Sequence, residues 1–124
     1  MIASEIISNQ FKKSPDVSIE QKVDNALPDQ MHHYATNKNK VFTGEMASIA
    51  ESFGLDLDGD WNKDLMSHLG RHPNKYHQFV LQGMQRAAGE AGGDPSKFVD
   101  LFDIYVKQVV KNNPLMLRKI WWTF

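Results

Sequence analysis

Apolar residues recur at helical spacing over much of this 124-residue chain. Residues 2–13 place Ile2, Ile6, Ile7 and Phe11 on one helical face, which predicts a short amphipathic helix closed by Ser14-Pro15-Asp16. Residues 18–27 predict a second short helix ending at Pro28. TGEMASIAESFG sets Met46, Ile49, Ala50 and Phe53 at i, i+3, i+4, i+7, with Thr43 as N-cap and Gly54 just past the end. Pro73 opens a further helix whose apolar face is Tyr76, Phe79, Val80, Gly83, Met84 and Ala87, with His72 as its N-cap and Gly89 or Gly92-Gly93 as its stop. Asp94-Pro95 repeats the start signal, and Phe98, Leu101, Phe102, Tyr105 and Val109 carry the last stripe to Asn112-Asn113-Pro114.

Between these helices the pattern breaks. Residues 30–36 show no helical stripe and are expected to be extended, 37–40 to be loop, and 55–71 to be irregular. The apolar tail LMLRKIWWTF must pack on the domain or on a partner. The predicted class is mostly α with a small β-hairpin at most. One domain is expected across 1–124: a helical extension over 1–26, a core over 27–90, and a C-terminal helix with its tail over 94–124.

Composition narrows the chemistry. At 41% hydrophobic and 23% charged, the chain can bury an ordinary core. It contains no cysteine, so any metal site must use imidazole, carboxylate or amide donors. No apolar run reaches the roughly eighteen residues of a membrane span, and the first residues lack the order of a signal peptide.

A formal net charge of −1 argues mildly against a nucleic-acid binder, but the distribution matters more. Glu45, Glu51, Asp56, Asp58, Asp60 and Asp64 make residues 45–64 acidic, a face expected to point away from any phosphate substrate. Positive charge collects at Lys38 and Lys40, at Arg71 and Lys75, and along Lys107, Lys111, Arg118 and Lys119.

All five histidines, His32, His33, His68, His72 and His77, fall between residues 32 and 77. Adjacent side chains on an extended segment point to opposite faces, so His32 and His33 must address different surroundings. His72 and His77 would diverge by about 140° on one continuous helix. Placed at the N-cap, outside helical geometry, His72 can converge with His77. Neutral imidazoles from the two clusters make a workable metal site. Asp56, Asp58 and Asp60 do not make a calcium loop, because Trp61 and Ser67 stand where its glycine and bidentate glutamate are required.

"MHHYATNKNK" followed by "WNKDLMSHLGRHPNKYH" resembles the AHH-type toxin nucleases, a branch of the HNH/endonuclease VII (His-Me finger) superfamily found as warheads of bacterial polymorphic and type VI secretion toxins. The likeness covers roughly residues 27–90, with Met31 in place of the alanine that names the group. It implies a His-Me finger (ββα-metal-like) core elaborated by helices. The predicted helix over 43–53 falls inside its hairpin connection.

The resemblance also implies a metal-dependent endonuclease, DNA favoured over RNA. A histidine would serve as general base, beside a divalent ion (Mg, Zn, Mn or Ni). His33 is then the expected base, and His32, His72 and His77 the expected metal ligands, the roles of His32 and His33 being exchangeable. His68 is a further candidate ligand or orienter. Asn62 would hold the catalytic loop, Arg71 and Lys75 would hold phosphate, and Lys38 and Lys40 are further phosphate candidates. By the same likeness the chain would belong to a delivered effector without a signal peptide, acting in a target-cell cytoplasm. It would be carried by a larger upstream chain or secretion apparatus and opposed by a cognate immunity protein. The alternative is a non-catalytic helical module stapled by zinc.

Overall fold

The computed structural model describes residues 29–67 and 72–123; the expected helices over 2–13 and 18–27 lie outside the described residues, as do His68 and Arg71. Contacts divide the chain into a unit of 31–65 with 69–124, which holds His32, His33, Asn62, His72 and His77, and a unit of 1–30 with 66–68. The class is mostly helical with a small antiparallel two-stranded hairpin.

Strand β1 is Asp29–His33 and pairs with β2, Lys63–Ser67. The second strand falls in a segment expected to be irregular, because Lys-Asp-Leu-Met-Ser has no clean alternation and becomes a strand by pairing with β1. Helix α1, Thr43–Ser52, lies in the connection between the strands. It buries Met46 and Ala50, and Phe53 follows them into the core. Gly54 closes it at φ 71°, where a side chain would be strained. Thr43 is not the cap. It is the first helical residue, preceded by Phe42, and its hydroxyl donates to Thr36 O at 2.9 Å while accepting from Asn39 N–H at 2.8 Å. The threonine thus ties the basic loop after β1 to the start of α1.

Helix α2, Asn74–Ala91, follows β2, so the strands and this helix run in ββα order. Its cap is Pro73, one residue later than expected, in extended geometry and without a side-chain hydrogen bond. His72 therefore precedes the cap and keeps the non-helical position from which its ring reaches His77. Tyr76, His77, Val80, Met84, Ala87 and Ala91 form the buried face. Gly92 ends the helix at φ 61°.

Helix α3, Pro95–Phe102, is capped by Asp94, whose carboxylate accepts from Ser96 N–H at 3.0 Å and Lys97 N–H at 3.4 Å. It runs through a π turn, Asp103–Lys107, into α4, Gln108–Asn112. Gly83 allows this turn to approach α2, since a Cβ there would lie 2.5 Å from Val106 Cγ2. The tail forms two 3₁₀ segments, Pro114–Leu117 and Lys119–Thr123. Met116 and Leu117 are buried, and Trp122 packs against Phe79 while donating to Met116 O.

Candidate active site

The end of β1 separates the two histidines as alternation requires. His32 is buried at 9% exposure, and His33 keeps about a fifth of its side chain in solvent.

His32 enters an aromatic cluster built by the start of α2. Its ring centroid lies 5.1 Å from His72 and 4.8 Å from Tyr34, both edge-on. His72 in turn lies 5.3 Å from Tyr76 and 6.2 Å from His77. Three expected ligands thus share one neighbourhood. Burial, with His72 and His33 nearby, pulls the His32 imidazole down to about 3, and burial beside His72 pulls His77 down to about 4. Both rings are neutral near pH 7.

The hydrogen bonds fix one tautomer. Tyr76 has a single hydroxyl hydrogen and donates it to Tyr34 O at 3.0 Å, so the 3.1 Å contact to His32 is an Nε2–H of His32 donating to the Tyr76 oxygen. The lone pair of His32 is then on Nδ1. Burial holds the Tyr76 phenol well above its ordinary range and keeps that donor protonated. Sequence periodicity marks Tyr76 as core, which it is, but does not signal this polar role.

His33 has a different partner. Its Nε2 lies 2.8 Å from Asp58 Oδ1, and an ionised carboxylate accepts only, so His33 donates from Nε2, which in the neutral ring leaves the lone pair on Nδ1. The donated hydrogen bond from His33, with Lys63 beside it, holds the Asp58 carboxyl below the usual carboxylate range. The acidic stretch therefore does not point wholly away from the histidines, as expected: its Asp58 faces His33.

Asn62 lies behind the site rather than in it. It is fully buried, donates from Nδ2 to Ala35 O and Leu57 O at 2.8 Å each, and accepts from Ala35 N–H at 2.8 Å. Those contacts pin the chain just beyond His33 to the turn that carries Asp58. Its side chain meets protein backbone and no solvent.

Beyond Asn62, Asp64 accepts from the Tyr34 hydroxyl at 3.0 Å and lies 3.7 Å from Lys107 and 3.3 Å from Lys111. Burial pushes the Asp64 carboxyl up, but the Tyr34 hydroxyl and the two lysines outweigh it and leave it below the ordinary value. Lys38 and Lys40 are exposed in the loop after β1, and Lys75 is exposed at the start of α2.

A family model described as a nuclease family of the HNH/ENDO VII superfamily with conserved AHH matches residues 6–111. The chain belongs to this nuclease family. No match was found among curated proteins, and none among solved structures. The one adjacent histidine pair of this nuclease is His32-His33, preceded by Met31 rather than alanine.

Divalent metals are general in the superfamily. Among the described residues of this nuclease, no group of three or more His, Cys, Asp or Glu side chains forms a ready metal-binding set. The donor chemistry nevertheless suits a borderline divalent ion. His32 and His77 are uncharged imidazoles, and His77 Nδ1 is buried with no hydrogen-bond partner among the described residues. No helix among the described residues is long and apolar enough to cross a membrane.

Proposed function

We propose that this nuclease is a metal-dependent endonuclease that hydrolyses DNA, with His33 as its general base. The observation that carries this reading is the division of labour between the adjacent histidines. His33 is partly open to solvent, with Nε2 occupied by Asp58 and Nδ1 left to take a proton. His32 is sealed among His72, Tyr76 and Tyr34 and does not meet the surface in the same way.

Imidazole suits the base role because its ordinary pKa lies close to neutrality. His72, His77 and the Nδ1 lone pair of His32 would hold the divalent ion. When bound, such an ion stabilises charge developing on the phosphate and on the departing oxygen. Everything else falls to the chain's own groups. His33 takes the proton of the attacking water at Nδ1, and Asn62 keeps the segment after His33 in register. Lys38, Lys40 and Lys75 are exposed, and their ammonium groups would meet phosphate oxygens.

DNA is preferred over RNA because no aromatic stacking platform and no reader of a 2′-hydroxyl marks the sequence. The toxin role, delivery by a larger chain or secretion apparatus into a competitor's cytoplasm, and neutralisation by an immunity protein rest on the resemblance of residues 27–90 to toxin warheads. Incubation of the protein with supercoiled plasmid and with structured RNA tests the catalytic reading. Mg²⁺, Mn²⁺, Zn²⁺ and Ni²⁺ would be supplied singly, each with and without chelator. Plasmid nicking that chelator abolishes is the expected result. Cleavage of RNA alone would replace the substrate, and cleavage indifferent to chelator would remove the metal.

A further inference from the structure

The turn from 56 to 62 is held by the side chains of Asp56, Trp61 and Asn62. Asp58 N–H donates to Asp56 Oδ1 at 2.7 Å, and Gly59 N–H donates to Asp56 O at 2.9 Å. Trp61 Nε1–H reaches the same Asp56 carbonyl at 2.8 Å, while its indole packs edge-on against Phe98 and Phe102 of α3. Leu57 O is held by Asn62. Gly59 leaves room for this arrangement, because a Cβ there would lie 2.8 Å from Trp61 Cδ1 and 3.0 Å from Asp56 O. The backbone on both sides of Asp58 is therefore anchored to the core, although its carboxylate is 68% exposed.

A carboxylate beside a phosphodiester repels the substrate unless it serves another group. Asp58 Oδ1 is shared by His33 Nε2 at 2.8 Å and by Lys63 Nζ at 3.5 Å, and Lys63 offsets its charge.

We propose that Asp58 is the positioning residue of the general base. Its carboxylate fixes the His33 ring and its Nε2–H tautomer, so that Nδ1 presents its lone pair to the attacking water. This inference rests on the reading of His33 as the base. As water oxygen bonds to phosphorus, its proton passes to Nδ1 and the positive charge on the ring faces Asp58. The broken phosphorus–oxygen bond leaves its electron pair on the ester oxygen, which takes a proton from solvent. Carboxylates that orient metal-ligating histidines typically contribute 10–100-fold, and an effect of about that size is expected for one that orients a base. Removing the carboxylate while keeping the shape also favours the wrong histidine tautomer.

The test measures cleavage of a short DNA duplex at saturating divalent metal for wild type, His33→Ala, Asp58→Ala, Asp58→Asn and Asp58→Glu. Long-range ¹H–¹⁵N spectra read the His33 tautomer, and thermal melting controls for folding. Asp58→Ala and Asp58→Asn are expected to lower kcat roughly 10–100-fold with KM little changed. The His33 ring should leave the pure Nε2–H form in both, and Asp58→Glu should recover part of the rate. An inactive His33→Ala beside a fully active Asp58→Ala, or an unchanged His33 tautomer in Asp58→Ala, overturns the positioning role and leaves the base standing. A fully active His33→Ala removes the base and this inference together.

Discussion

Tyr76 Oη lies between His32 and Tyr34, accepting from the Nε2–H of the first at 3.1 Å and donating to the carbonyl of the second at 3.0 Å. One buried hydroxyl on α2 thus fixes both His32, the next-to-last residue of β1, and the backbone just beyond the strand.

Tyr76→Phe removes that hydroxyl and leaves a buried imidazole N–H and a carbonyl to find other partners. The expected cost is roughly 1–3 kcal/mol, read as a shift in the denaturant midpoint at unchanged m-value. An unaltered midpoint would show that His32 does not depend on this contact.

Asn62→Ala should cost more. It strips three hydrogen bonds from a site with no access to water, so a loss of about 3 kcal/mol or more is expected. Asn62→Asp is no rescue, because it deletes both donors and places a charge among carbonyl oxygens. Chemical denaturation of the two variants checks the ranking. Wild-type stability in Asn62→Asp would contradict the arrangement.

The depressed histidines set a pH dependence. The folded-state values of about 3 for His32 and about 4 for His77 lie below an unfolded value of 6.5. The unfolded chain therefore binds protons first, and stability is complete above pH 6.5. It falls as pH drops from 6.5 towards 4, by about 1.4 kcal/mol per pH unit for each of the two rings. Urea unfolding in chelator across that range measures the slope, and a flat profile would show that neither ring is protected from protonation.

Gly83→Ala tests the close approach of α2 to the π turn. Alanine normally favours a helix interior, but here its methyl meets Val106 Cγ2. A net destabilisation of about 1–3 kcal/mol is expected from overpacking, and stabilisation would mean that the turn yields freely. The double variant with Val106→Ala should recover part of the loss.

Locally encoded features were legible in the sequence. The Met46, Ala50 and Phe53 stripe, the Asp94 cap with Pro95, and the glycine at 54 depend on neighbours within a few residues, and each behaves as its pattern implies. The opposite fates of His32 and His33 follow from strand alternation alone. Features created by pairing were not legible. Strand β2 exists because β1 lies beside it, and His33 meets Asp58, 25 positions further along, in an acidic stretch expected to point away from the substrate. Thr43 and His72 were displaced by one residue from their expected caps, since Thr43 found a partner in Thr36 O and Pro73 took the extended cap geometry.

Single-turnover cleavage of a DNA duplex by wild type and His33→Ala, at matched metal concentration and with matched melting temperatures, tests the base assignment most directly. The account predicts a rate lower by about 10²–10⁴-fold in the variant. Equal rates in two equally folded proteins would contradict it.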